Sequence, residues 1–278
     1  NICSMLNYKS ILVVAYDLEK SQKALLDVEN VLKENSIPYE VYGAHKNNCF
    51  DLVLVIGGDG SMLSAAKEFS SLDCRFLGVN LGKVGFMADL DYENLEVGLM
   101  EVLTGSNIVE EKEALECNYN GKKYTAFNEI VLHTQKSYKL MQFEVRVDGD
   151  FVYKKRADGL IISTSNGSTA YSLSAGGPII SPSVNAFVIT SLNPLSLSAR
   201  PLIIPSDSKI EVKLTKTPPE TESYIIIDGN EEIKVEEALK DFVVTKSKQS
   251  FSLLHPEDHD FFETCREKLN WSLSKDEK

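Results

Sequence analysis

The stretch D-L-V-L-V-I-G-G-D-G-S-M-L at 51–63 decides how the chain is built. Its aliphatic run, Leu52 to Ile56, has no polar side and fits a strand buried on both faces, as in a parallel sheet. The run stops at Gly57-Gly58-Asp59-Gly60. Three glycines in four positions let the backbone turn at either sign of φ and let an anion reach the amide N–H groups without meeting a Cβ. Ser61 reads as the cap of a helix whose apolar face is Met62, Leu63, Ala65, Ala66 and Phe69. A strand, a phosphate-sized turn and a helix N-terminus in succession form an anion site.

Asp59 does not belong in a turn made only to bind phosphate, because its carboxylate repels the ligand that the amides attract. Such a residue can hold Mg²⁺ against phosphates or take a proton from a hydroxyl that attacks one. The alternative is a plain surface turn, since Asp and Gly are common turn residues. The motif is neither a Walker A loop nor a G-x-G-x-x-G fingerprint, and no P-loop lysine follows it.

With 278 residues, 43% hydrophobic and 25% charged, the chain has room for two domains with a sizeable core. A net charge of −12 argues against nucleic acid or an anionic membrane as partner, so an anionic ligand has to be held locally. Cys3, Cys49, Cys74, Cys117 and Cys265 are odd in number and scattered, as expected of reduced thiols. No apolar run reaches bilayer-spanning length and no signal-peptide pattern opens the sequence, so a soluble, cytoplasmic protein is expected.

Working outward, Ile11–Ala15 reads as a first buried strand, and Leu18 to Asn35 as a helix with Leu25, Val28, Val31 and Leu32 on one stripe. Tyr39–Tyr42 and Arg75–Asn80 read as further strands and Leu95–Leu103 as a helix. Alternation of this kind predicts a parallel sheet with ligands beyond the carboxyl ends of its strands, where the turns at Gly57 and Gly82 lie. Phe86, after the second turn, can stack on a base or ribose or simply fill the core. From Thr104 onward, short strands from Lys123–His133 to Phe242–Lys246 alternate with turns such as Asn120-Gly121, Asp148-Gly149 and Asp228-Gly229. The expected organisation is an α/β domain over 1–104 with a mostly parallel sheet and an all-β domain over 105–255. A terminal helix, Glu257–Trp271 within 256–278, should pack back on the first domain with Phe261, Phe262, Cys265 and Leu269 on its buried face.

Two stretches hold polar groups that packing alone does not require. Asn128-Glu129 sits in the apolar run Phe127–Leu132, where an amide suits a base edge or a ribose hydroxyl, unless the pair is a strand-end turn. The second is D-G-L-I-I-S-T-S-N-G-S-T-A-Y-S-L-S-A-G-G at 158–177, a short strand followed by hydroxyls, an amide and small residues. Ser168 or Thr169 can cap a helix there, with Tyr171 as the wall for a planar ring. Gly167-Ser168-Thr169 is not a nucleophile elbow. His255 and His259 raise a structural zinc, against which Pro256 and the lack of nearby cysteines count.

Together with L-G-K-V-G-F at 81–86, S-A-R-P at 198–201, D-G-N at 228–230 and R-E-K-L-N-W at 266–271, these motifs resemble the NAD kinase family in order and over nearly the whole chain. G-G-D-G alone is shared with lipid kinases; the long serine- and threonine-rich motif is the specific part. The resemblance implies an α/β domain, a β domain, a site between them and a homo-oligomer, dimer or tetramer. It also implies transfer of phosphate from ATP, with Mg²⁺, or from polyphosphate, to the adenosine ribose 2′-hydroxyl of NAD. On matching positions Asp59 is the general base, and Gly57, Gly58 and Gly60 shape the phosphate turn. Asp59, Gly60 and Phe86 line the NAD site, and Asn128, Glu129, Asn166, Thr169, Ala170 and Tyr171, followed by Ser172 and Leu173, bind its adenosine half. Asp158, Ser174 and Asn193 lie toward the nicotinamide, and Lys139, Arg156 and Asn230 match less uniform contacts. One departure stands out: Pro194-Leu195-Ser196-Leu197 has leucine where the family commonly has histidine. A lipid kinase and a non-catalytic NAD(P) sensor are the competing readings.

Overall fold

Buried aliphatic strands organise the first part of the chain. In the computed structural model, which describes residues 7–44, 49–82, 85–136, 139–217 and 220–271, β1 (Ile11–Val14) and β3 (Leu52–Ile56) are buried at every position. The chain runs β1, α1 (Leu18–Glu34), β2 (Tyr39–Val41), β3, α2 (Asp59–Phe69), β4 (Arg75–Asn80), β5 (Leu90–Asp91) and α3 (Leu95–Thr104). Strands β2, β1, β3 and β4 pair in that order and all in parallel, as continuous apolar strands with helical crossovers require. Helix α1 is capped by Asp17, which accepts from the Lys20 N–H, and buries Val28, Val31 and Leu32 against this sheet's core.

The remaining strands are β6 (Ile108–Tyr119), β7 (Lys122–Ala126), β8 (Glu129–Thr134), β9 (Met141–Val147), β10 (Asp150–Ala157), β11 (Gly159–Thr164), β12 (Ala186–Leu192), β13 (Leu202–Pro205), β14 (Ile210–Lys216), β15 (Ser223–Ile227), β16 (Glu231–Lys234) and β17 (Asp241–His255). Short α4 (Tyr171–Ser174) follows β11, and α5 (Phe261–Leu269) ends the described chain. One sheet has the order β13-β12-β11-β8-β15-β16, antiparallel throughout. Strands β10, β9, β14 and the start of β17 also pair antiparallel. Further along, β17 pairs in parallel with β4 at Ser252 and Leu253, so the sheet is mixed rather than purely parallel.

Two compact units result, Asn1–Glu111 with Phe251–Lys278, and Lys112–Ser250. Several sequence expectations need correction. Lys123–His133 is two strands, because Phe127 and Asn128 leave the ladder between β7 and β8. Strands β6 and β13 add to the strands that alternation predicts, and β17, at 15 residues, extends past Phe242–Lys246 on both sides, chiefly toward His255. Helix α5 starts at Phe261 rather than Glu257, since Asp260 caps it through a bond from the Phe262 N–H of 2.8 Å. It ends at Asn270, whose φ is +50°. Its buried residues are Thr264 and Cys265, while Phe262 is exposed. Among the described residues no helix is long and apolar enough to cross a membrane.

Candidate functional site

In the first unit, β3 leads into Gly57, Gly58 is the cap residue of α2, and Asp59 and Gly60 are its first two helical residues. Ser61 is therefore inside the helix and not its cap; glycine, with no side chain to bond, takes that place. The Asp59 carboxylate meets the positive end of the helix dipole. It is fixed by two main-chain donors from the segment after β4: Met87 N–H to Oδ1 at 3.0 Å and Phe86 N–H to Oδ2 at 3.2 Å. Gly85 makes this approach possible, because a Cβ there would lie 2.2 Å from Asp59 Oδ1. A third partner arrives from the far end of the chain, the Lys268 ammonium on α5, which bonds to Asp59 Oδ2. Phe86 is half-buried, its ring 6.0 Å from that of Phe261 and 4.7 Å from the Lys268 Nζ. Lys83 and Val84 of the second glycine turn lie outside the described residues.

In the second unit, Asn128 lies just before β8 and Glu129 opens it, buried. Their backbone is held by the buried Asp228, whose Oδ1 accepts from the N–H groups of Asn128 (2.8 Å) and Glu129 (3.1 Å) and whose Oδ2 accepts from Phe127 (3.0 Å). Thr164 closes the other side, its N–H bonding to Asn128 O and its hydroxyl to Phe127 O. The Asn166 amide donates to Asn128 Oδ1 at 2.7 Å, which aligns the two amides. Gly167 lets the segments touch, since a Cβ there would stand 2.1 Å from Asn128 O. Residues Asn166–Thr169 form a 3-10 turn, and the cap position of α4 is Ala170. Neither Ser168 nor Thr169 caps that helix: Ser168 is buried and accepts from the Ile180 N–H, and the Thr169 hydroxyl bonds to Asn166 O. Tyr171 and Ser174 are exposed, Leu173 is half-buried, and Ser172 is buried against the Thr190 hydroxyl.

A second group gathers where β10 passes into β11. The buried Asp158 accepts from the Asn193 amide at 3.0 Å through Oδ2, and its Oδ1 is buried with no hydrogen-bond partner among the described residues. The Leu195 N–H donates to Arg156 O, which ties the Asn193 loop to the strand before Asp158. The Arg156 side chain is exposed, as are Asn230, just past Asp228, and the Leu195 side chain. Lys139 lies in the loop after β8, its N–H bonded to Lys136 O. The structure adds Lys268, Gly85 and Asp228 to these residues. Each sits in a motif, R-E-K-L-N-W, L-G-K-V-G-F and D-G-N, but no local signal assigns the first two a contact, and Asp228-Gly229 has the form of a hairpin turn.

His255 and His259 do converge, on Asp89, with three ligand-capable atoms within 4.8 Å of one another. They form a hydrogen-bonded cluster. The rings stack at 3.9 Å with 23° between planes, and the Nδ1 atoms of both reach Asp89 Oδ2. His259 Nδ1 is 2.8 Å from Asp89 Oδ2, closer than the about 3.3 Å between two ligands of tetrahedral zinc. His255 also reaches Glu110 through Nε2 at 2.8 Å. Burial alone would raise the Asp89 pKa, but the bonds from both imidazoles outweigh it and hold the carboxyl at about 2. A depressed carboxyl stabilises the fold above its unfolded pKa, and the stabilisation goes as pH falls through the folded value. Asp89→Asn should therefore cost roughly 2 kcal/mol at pH 7. Thermal melts should show the gap to the parent protein closing between about pH 4 and pH 2.

Residues 8–107 match the family model for the ATP-NAD kinase N-terminal domain, and residues 127–255 that for the ATP-NAD kinase C-terminal domain. An NAD kinase of Teredinibacter turnerae is 36% identical over 94% of this chain and 90% of its own. One of Photorhabdus laumondii is 42% identical over 80% and 77%. Among solved structures, an Archaeoglobus fulgidus NAD kinase in complex with ATP superposes with a TM-score of 0.75 at 25% identity, covering 93% of this chain and 98% of its own. Yeast NADH kinase complexed with NADH gives 0.81 at 23% identity over 96% and 88%, a likeness of fold.

Proposed function

The chain belongs to the NAD kinase family, and from that premise we propose that Asp59 is the base of its phosphoryl transfer from Mg-ATP to the adenosine ribose 2′-hydroxyl of NAD. Its function is that of an NAD kinase. The observation that carries the assignment of roles is the Asp59 carboxylate, fixed at the N-terminus of α2 beside a bare glycine turn.

A secondary hydroxyl is a weak nucleophile at neutral pH, and a positioned base contributes about a hundred- to ten-thousand-fold. Asp59 takes the 2′-hydroxyl proton as the oxygen bonds to the γ-phosphorus; the bond from that phosphorus to the β–γ bridging oxygen breaks, and ADP leaves. Gly57, Gly58 and Gly60 give the phosphates room. The adenosine half is assigned to Asn128, Glu129, Asn166, Thr169, Ala170 and Tyr171, with Ser172 and Leu173 behind them. The aligned amides of Asn128 and Asn166 support that assignment. The carboxamide end is assigned to Asp158, Ser174 and Asn193, where the unpartnered Asp158 Oδ1 is an acceptor for an amide donor. Phe86, Lys139, Arg156 and Asn230 are assigned to the periphery of the dinucleotide. Mg²⁺ enters with ATP as part of the substrate, as is usual where phosphates supply most ligands.

Purified protein given Mg-ATP and NAD should yield NADP, and polyphosphate in place of ATP defines the donor range. Phosphorylated diacylglycerol in a parallel reaction would favour a lipid kinase, and binding of NAD without product a sensor. Gly85→Ala tests the placement of the base. The new methyl pushes Asp59 Oδ1 aside, a movable side-chain end, so the melting temperature should change little while kcat falls at least about tenfold. A homo-oligomer, dimer or tetramer, is supported by edge strand β13 with exposed Ile203 and by Leu197, 93% exposed. Light scattering reads it as two or four chain masses. A reducing, cytoplasmic setting is supported by Cys49, Cys74, Cys117 and Cys265, all free thiols; Cys3 lies outside the described residues.

A further inference from the structure

Among the described residues Lys268 is the one cation bonded to the carboxylate assigned as base, and nothing in the reaction outlined above uses it. Its ammonium bonds to Asp59 Oδ2, the oxygen that also accepts from Phe86 N–H, and it lies 4.7 Å from the centre of the Phe86 ring. The side chain is one-third exposed, so its tip can move. Two facts make this contact more than a surface ion pair. The glycine turn has no P-loop lysine, and the nearest lysine in sequence, Lys67, is in the last turn of α2, at the opposite end of that helix. A carboxylate oxygen engaged by both an ammonium and an amide also has no lone pair well placed for a hydroxyl proton.

We infer that Lys268 is a donor-phosphate-binding residue: without donor its ammonium holds Asp59, and when the terminal phosphate enters the glycine turn the ammonium transfers to a phosphate oxygen. A phosphate chain carries more negative charge than a carboxylate and attracts the ammonium more strongly. The transfer has two effects at once. It brings a positive charge to a turn whose own residues, 57–60, carry none, and it frees Oδ2 to accept the 2′-hydroxyl proton. The face of Phe86 keeps the ammonium close during the move. The inference rests on the reading of Asp59 as base.

Lys268→Met keeps most of the stem and removes the charge; Lys268→Arg keeps the charge. Expected for the methionine variant is a tenfold to hundredfold lower kcat and a several-fold higher KM for Mg-ATP, with KM for NAD within twofold and an unchanged melting temperature. The arginine variant should recover at least a tenth of the parent kcat. Calorimetric binding of Mg-ATP, weakened several-fold in the methionine variant, reads the same contact without turnover. A methionine variant within twofold of the parent in kcat and in Mg-ATP binding overturns the inference. So does a change confined to the KM for NAD, or a loss of activity that follows a fallen melting temperature in both variants. If the parent protein makes no NADP, the assigned reaction fails instead, and the ATP-binding comparison still decides the role of Lys268.

Discussion

Asp59→Asn is expected to lower kcat at least a hundredfold while the dissociation constant for NAD stays within a few-fold. The amide has nearly the shape of the carboxylate and keeps its place at the start of α2. Its oxygen can still accept from one of the Met87 and Phe86 N–H groups. It cannot take a proton from a hydroxyl, so the loss should approach the full value of a positioned base, about a hundred- to ten-thousand-fold. Steady-state kinetics and NAD titration of the purified variant separate the two quantities. Turnover near the parent value would remove Asp59 from the role of base.

The second large effect belongs to a residue with no assigned contact to substrate. Asp228, buried and at φ +47°, receives the N–H groups of Phe127, Asn128 and Glu129 on its one carboxylate. Asp228→Ala leaves these donors without their acceptor, and each unsatisfied buried group costs about 1–3 kcal/mol. The left-handed backbone adds strain for alanine. A loss of stability on the order of 3 kcal/mol or more is expected in urea denaturation. At temperatures where the variant remains folded, NAD affinity should fall at least tenfold, because Asn128 loses the support that aligns it with Asn166. Stability within about 1 kcal/mol of the parent and unchanged NAD affinity would show that Asp228 does not set the site.

What the sequence disclosed and what it hid follow from the range of the forces involved. Strand β3, the glycine turn and α2 were legible because an unbroken aliphatic run and a cluster of glycines are local signals. Helix α1 was legible for the same reason, its buried Val28, Val31 and Leu32 standing at helical spacing. Strand β6 was hidden because Glu110, Glu111, Lys112, Glu113 and Glu116 mask its alternation with charge. The polar run Lys246–Ser250 likewise concealed that β17 continues to His255. The cap of α2 is not Ser61, which side-chain preference favours, because at the glycine turn the chain enters the helix three residues sooner, with Gly58 as cap and Asp59 as the first helical residue. The contacts that complete the sites were out of reach in principle. Lys268 meets Asp59 across 209 residues of sequence, and Asp228 meets Phe127 across 101. No periodicity encodes a pairing of that span. Gly85 shows the same limit: its glycine is explained by the Asp59 carboxylate beside it, a neighbour that only the folded chain supplies.

The decisive measurement is the position of the phosphate in the product. Purified protein is incubated with Mg-ATP and NAD, and the product is read by phosphorus–proton correlation NMR. A new phosphate monoester coupled to H2′ of the adenosine ribose is the expected result. A monoester on any other oxygen, or ATP consumed with NAD left unmodified, would contradict the assignment of Asp59 and of the adenosine-binding residues together.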